Sequence, residues 1–238
     1  MKNYIIEDQF KLQVARGKIK GATVINIFGH NNSQGTDFRT VWEKSDTTGL
    51  LKPASALQMT VTSDIGDTSD DGVIIRVIGL DANYDVIAEN VTLNNATPPI
   101  TTNSFLRINT VVTISGNATG NVSVSNGGNE YAHILAGTGK NQASIYTVPA
   151  GSSLYLYRID GFMNDAASAK SGEFRNKSTL PSGVILRVAD TPFINQMNIQ
   201  RRVPFKYSEK TDIEFQIRSL SGTNYAGVFG EGIEIKEA

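Results

Sequence analysis

The stretch Val73-Ile74-Ile75-Arg76-Val77-Ile78, then Gly79-Leu80-Asp81-Ala82-Asn83-Tyr84-Asp85, then Val86-Ile87-Ala88-Glu89-Asn90-Val91-Thr92-Leu93 reads as strand, turn and strand. β-branched residues crowd both arms, and the join holds Gly, Asn and Asp, the residues that tolerate tight reversals. In the first arm Val73, Ile75 and Val77 fall on one face and Ile74, Arg76 and Ile78 on the other. Apolar residues on both faces predict a strand covered on both sides. In the second arm Ile87, Val91 and Leu93 share a phase with Glu89. A carboxylate on an apolar face is costly unless paired. Glu89 is therefore expected to form a structural ion pair with Arg76 or Arg107.

The same signature recurs outward from this hairpin. Thr60–Ser63, Phe105–Ser115, Leu154–Ile159, Val184–Val188 and Asp212–Arg218 are further short runs ending at turn formers, with a short strand at Val122 and Val124. Leu154 and Leu156 are expected inward, with Tyr155 and Tyr157 on the other side. Ile213, Phe215 and Ile217 alternate with Asp212, Glu214, Gln216 and Arg218, the pattern of a half-buried strand. Ile145–Val148 and the Gly230–Ile235 segment complete the set. There is no long helical period. With 238 residues the chain can bury two cores, and its 22 glycines suit hairpin turns. The expected fold class is all-β: two β-sandwich domains, at least one jelly-roll-like, with an N-terminal arm. Asn126-Gly127-Gly128-Asn129 reads as the linker. The expected divisions are an arm over 1–20, a first sandwich over 21–127 and a second, jelly-roll-like sandwich over 128–238. In the arm, Phe10, Leu12 and Val14 satisfy both a short helix ended by Gly17 and an extended alternation; either way they are candidate assembly contacts. Residues Asn164 to Pro181 read as a long polar hairpin, exposed and mobile.

Charge and composition exclude several function classes. The net charge is −1, from 22 basic and 23 acidic residues, and no like-charge block is long. That balance gives no electrostatic case for nucleic acid; the pair Arg201-Arg202 reads as solvated or partner-facing. The chain has no cysteine, which excludes disulfides and thiolate metal sites. Glu7 and Asp8 interrupt the short apolar stretch Tyr4-Ile5-Ile6, so no secretory signal is expected, and no run is long enough for a membrane helix. The five Asn-X-Ser/Thr triplets, at Asn90, Asn95, Asn117, Asn121 and Asn176, read as chance matches in an Asn- and Thr-rich chain.

Each candidate for chemistry has a plainer reading. Asp64, Asp67, Asp70 and Asp71 could hold Ca²⁺, but their spacing fits no EF-hand loop and reads as a solvated loop. Asp212 and Glu214, with Glu209 nearby, resemble a glycosidase carboxylate pair in spacing alone; the polar side of an amphipathic strand explains them. His30, in a Gly-His-Asn-Asn turn, and His133 lie in no triad or metal motif. Trp42, Tyr155, Tyr157, Tyr207 and Tyr225 could line a sugar platform. Tyr155 and Tyr157, with Lys170 and Lys177 on the excursion, are the candidate host or glycan contacts. No cofactor is expected.

Longer segments carry a resemblance. These are Val14-Ala15-Arg16-Gly17-Lys18-Ile19-Lys20-Gly21, Phe28-Gly29-His30-Asn31 and Thr40-Val41-Trp42; then Gly79-Leu80-Asp81, Phe105-Leu106-Arg107-Ile108-Asn109 and Tyr146-Thr147-Val148-Pro149-Ala150-Gly151. Together they resemble tailed-phage virion structural proteins of the kind frequent among marine phages and cyanophages. The chain departs from that pattern at Asn94-Asn95, where Asn-Gly is usual, and after Trp42, where a Gly pair is usual. The resemblance implies a non-enzymatic, homo-oligomeric component of a virion, made in the host cytoplasm and bound to copies of itself and to major capsid or tail proteins, with neither nucleic acid nor membrane as partner. A capsid-associated decoration protein is the first expectation. A tail or fibre component that touches host carbohydrate is the alternative.

Overall fold

Each of the runs read as strands falls on a strand to within a residue at its ends, except Phe105–Ser115, which divides between two strands at Leu106. A computed structural model describes residues 10–44, 50–164 and 170–237. In chain order the strands are β1 (Ala22–Gln34), β2 (Arg39–Thr40), β3 (Leu57–Ser63), β4 (Ile74–Leu80), β5 (Val86–Thr92), β6 (Ile100–Phe105), β7 (Arg107–Ser115) and β8 (Val122–Asn126). They continue as β9 (Asn129–Ile134), β10 (Ile145–Thr147), β11 (Ser152–Asn164), β12 (Ser171–Thr179), β13 (Ile185–Ile194), β14 (Gln196–Tyr207), β15 (Asp212–Ser219) and β16 (Asn224–Lys236). The fold is all-β, of β-sandwich type, and its ladders are antiparallel.

The largest ladder runs β1-β16-β11-β14-β13-β12-β15-β10. β13 and β14 touch only at Ile194 and Gln196, so the ladder folds there into two layers. One layer is β1-β16-β11-β14 and the other β13-β12-β15-β10. Named in chain order as strands B to I, these eight give the pairings B-I-D-G and C-H-E-F, the two Greek keys of a jelly roll. The core lies between the layers: Ile27, Leu154, Leu156, Ile159 and Met163 face Phe174, Phe193, Ile213, Phe215 and Ile217. The Phe174 and Phe215 rings meet at 5.8 Å between centroids. Behind them Asn176 donates from Nδ2 to the Tyr207 hydroxyl at 2.6 Å, tying β12 to β14.

Strands β3 to β9 form a second sandwich, β6-β3-β8-β9 against β5-β4-β7, with its own core around Met59, Val61, Ile75, Val77, Phe105, Val111 and Val124. It is inserted into the jelly roll between β2 and β10. The exit and return are adjacent: Ser144 N–H donates to Val41 O at 2.9 Å, Val41 N–H donates to Ser144 Oγ at 3.1 Å, and Trp42 bridges to Ala143.

This arrangement corrects the expected divisions. β1 lies before the inserted sandwich in sequence yet pairs with β16 along its length. β9 lies past residue 127 yet pairs with β8. The supposed linker Asn126–Asn129 is a hairpin turn, with Gly127 and Gly128 at φ +57° and +83°. Two successive positive φ angles match a type I′ reversal, which Gly makes cheap. The polar excursion is corrected too. Half of it is β12, an interior strand with β13 on one side and β15 on the other, and Phe174 is fully buried; residues 165–169 lie outside the described residues. His30 sits within β1, not in a turn.

In the arm, residues 10–15 are helical and Gly17, at φ +68°, follows the last turn. Val14 is buried within its own chain, so it does not serve as a free assembly contact, while Phe10 and Leu12 are exposed. Lys11 Nζ lies 3.8 Å from the Tyr157 ring centroid, which sets the helix against β11. Residues 1–9 lie outside the described residues.

Candidate functional site

β15 carries the carboxylates singled out in the sequence, and it is buried on both faces. Asp212 and Glu214 are among the most enclosed charged residues. The expected half-buried strand is corrected because cations arrive from three other segments. Arg107, on β7 of the inserted sandwich, grips Asp212 through two parallel bonds, Nε to Oδ1 at 2.8 Å and Nη2 to Oδ2 at 3.0 Å. Lys52 reaches Glu214 at 2.6 Å and Asp212 at 3.5 Å, and Lys177 reaches Glu214 at 3.2 Å. Thr147 and Thr40 hydroxyls donate to Asp212 and Glu214 at 2.6 and 3.0 Å. Burial works to raise both carboxyl pKa values. Lys52 and Arg107 at Asp212, and Lys52 and Lys177 at Glu214, outweigh it and hold both below the usual carboxylate range. Carboxylates held this way have no proton to donate near neutral pH, the opposite of what a glycosidase general acid needs. A cleft of about 430 Å³ opens beside them, floored by Lys52, Lys177 and Gln216. Their clear effect is to clamp the inserted sandwich to the jelly roll. Beside the clamp, Asn109 and Thr147 exchange amide and backbone bonds at 2.9 Å each.

The expected ion pair of Glu89 is not formed. Its carboxylate accepts from the Thr102 and Asn103 backbone N–H groups, at 2.7 and 2.8 Å, and from Asn103 Nδ2 at 3.0 Å. β6 is an edge strand, and Glu89 on β5 supplies acceptors to N–H groups that no ladder uses. Arg76 is exposed, and Arg107 is engaged with Asp212.

The acidic loop is a structural joint. Asp70 is fully buried and accepts from Thr119 N–H and Oγ1, from Gly120 N–H and from Ser63 Oγ. Burial works to raise its pKa, but these bonds win and hold it at about 2. Among the described residues no cluster of His, Asp and Glu could hold a metal ion.

The sugar-platform residues scatter. Trp42 and Tyr207 are core. Tyr155 lies beneath Lys206, and Tyr157 beneath Lys11. Lys177 belongs to the clamp, and Lys170 sits at a backbone junction with Asn195. The structure therefore does not bring Tyr155, Tyr157, Lys170 and Lys177 together as one contact surface.

Sequence reasoning missed the open edge of the jelly roll. Apart from Ile194, β13 has no ladder partner among the described residues on the side away from β12. At its start Val184, Ile185 and Leu186 are exposed in succession, with Ile185 at 57%. On the neighbouring edge, residues 201–204 of β14 bulge out of the ladder between Gln200 and Phe205, and Val203 stands 73% exposed at the tip. An open edge with consecutive exposed apolar residues is what a monomeric sheet normally avoids. Val184–Val188 was legible as a strand, but nothing local marks which strand lies at an edge.

No protein-family model matches the chain, and no curated protein sequence does. Among solved structures, the chain is similar to infectious bursal virus derived T=1 particles at 12% identity, over 92% of this chain and 75% of that one, with a TM-score of 0.17. A likeness at that score carries no argument.

Proposed function

We propose that this protein is a non-enzymatic structural component of a bacteriophage particle, a capsid-associated protein acting through protein–protein contacts. The observation that carries the reading is the open β13 edge with Val184, Ile185 and Leu186 exposed in sequence. The motif resemblance to tailed-phage virion proteins supports the particle. The occupant of the edge is a second copy of this chain, because virion components are used in symmetric copies and an open strand edge can pair with its own equivalent.

The test is light scattering of the purified protein, alone and with empty capsids. The expected result is a closed oligomer that co-sediments with capsids. The double substitution I185K/L186K should dissociate it while the β-type circular dichroism spectrum is kept, since both side chains are solvated in the single chain. A monomer that ignores capsids, or an oligomer untouched by the double substitution, overturns the proposal.

A further inference from the structure

The solvent face of the β1-β16-β11-β14 layer carries a second surface. Register places Phe28 beside Phe229, Phe229 beside Asp160, and Asp160 beside Asn198, one row across four strands. Neighbours in such a row stand about 4.8 Å apart. The next row holds Phe162, whose ring lies across Gly227; a Cβ at Gly227 would fall 2.2 Å from Phe162 Cε1, so only glycine lets the ring lie down. Phe28 and Phe162 are about two-fifths exposed, and they border a cleft of about 540 Å³.

A fixed polar group sits among these rings. Asp160 takes Arg158 Nη2 at 2.6 Å on one oxygen and Asn198 Nδ2 on the other. This pairing orients both partners while using only part of their capacity. Arg158 has five N–H donors in all, and Asn198 keeps its amide oxygen as an acceptor.

We propose that this cleft binds a neutral glycan, with Phe28 and Phe162 as stacking surfaces and Arg158, Asp160 and Asn198 as hydrogen-bonding groups. A pyranose has an apolar C–H face and a rim of hydroxyls that both donate and accept. Flat rings beside a pre-oriented donor and acceptor set match both, and the apolar wall with few polar groups is the usual make-up of a small-ligand site. Charge selects the class. Among the described residues only Arg158 and Asp160 are charged groups lining the cleft, and they pair with each other; burial lowers the His30 pKa, so the imidazole beside Phe162 adds no charge near neutral pH. With no net charge in its lining, the cleft offers no counter-charge to uronic, sulfated and phosphorylated polymers. The inference is independent of the assembly reading, which concerns the β13 edge at Val184, Ile185 and Leu186 and not this face.

The experiment is isothermal titration of the full chain with cellohexaose, mannohexaose and laminarihexaose, and with a hyaluronan hexasaccharide as the acidic control. At least one neutral hexaose should bind and the acidic one should not. F28A, F162A and N198A should each weaken binding about tenfold, the equivalent of one good contact. Asn198 is exposed, so N198A tests the site even where an aromatic substitution disturbs folding. Melting temperature and the light-scattering mass should stay at their parent values, which separates loss of this site from loss of assembly. Failure of all three neutral hexaoses, equal binding of the acidic one, or affinity unchanged in the three variants overturns the proposal.

Discussion

Glu43 shows at a single residue what sequence cannot reveal. It looks like any surface acid between Trp42 and Lys44, yet it is 6% exposed, and neither carboxyl oxygen has a partner at full hydrogen-bond geometry among the described residues. Burial pushes its pKa up to about 7, with the Gln142 backbone and the His133 ring offsetting only part. Its neighbour Glu130 is equally unremarkable in sequence but is satisfied by His133, Lys44 and Ser123. Those contacts overcome burial and hold its pKa at about 2. The difference is one of partners delivered by distant strands. A carboxyl whose folded pKa is raised binds its proton more tightly folded than unfolded, so it destabilises the fold as pH climbs from about 4.5 to 7. The loss reaches at most about 3 kcal/mol above pH 7. Thermal melts at pH 5 and pH 8 should show the parent losing stability across this window and E43Q losing clearly less. Parallel profiles would show that Glu43 ionises without cost.

Among elements, β4 and β5 were legible as strands because β-branched residues crowd them and their turn carries Asp81 and Asn83, but the expected cover on both sides of β4 is corrected: Ile75 and Val77 are buried, while Ile74 and Ile78 are partly covered and Arg76 is exposed. β12 was not. Its buried positions are Gly172, Phe174, Asn176 and Ser178, so one large apolar residue in four gives no alternation to read. Gly172 has to be small because Phe193 and Met163 crowd its face, and Asn176 is buried for its bond to Tyr207. β15 misled in the opposite sense. Its acids occupy the face expected to be wet, and cations from distant segments make their burial tolerable: Arg107, about a hundred residues away in sequence, with Lys52 at Asp212, and Lys52 with Lys177 at Glu214. This clamp also sets a stability prediction. D212A leaves Arg107 enclosed without its carboxylate partner, which should cost about 3 kcal/mol in urea unfolding. The double variant R107A/D212A should lose less than the sum of the two single losses, because it removes both halves of one interaction. Additive losses would show that the two side chains stabilise the fold separately.

At the scale of the whole molecule, the fold class was readable from local pattern, but the partition was not. Which strands share a sheet depends on pairing between β1 and β16, roughly two hundred residues apart, and no local signal encodes it. The inserted sandwich has its own core and leaves and re-enters at the hydrogen-bonded pair Val41 and Ser144. A segment covering residues 54–137 should therefore fold alone, with a β-type circular dichroism spectrum and a cooperative melt. A spectrum of unfolded chain would show that the jelly roll is needed to hold it. The β1–β16 pairing also fixes an order of events on the ribosome. The inserted sandwich is complete once Ile134 has emerged and can collapse at once. β1, made long before it, has a ladder neighbour only when Asn224–Lys236 is synthesised. Until then its backbone N–H and C=O groups on the β16 side have no ladder to join, and contacts this distant in sequence form slowly. A ribosome stalled before Asn224 would hold a finished guest inside an unclosed host.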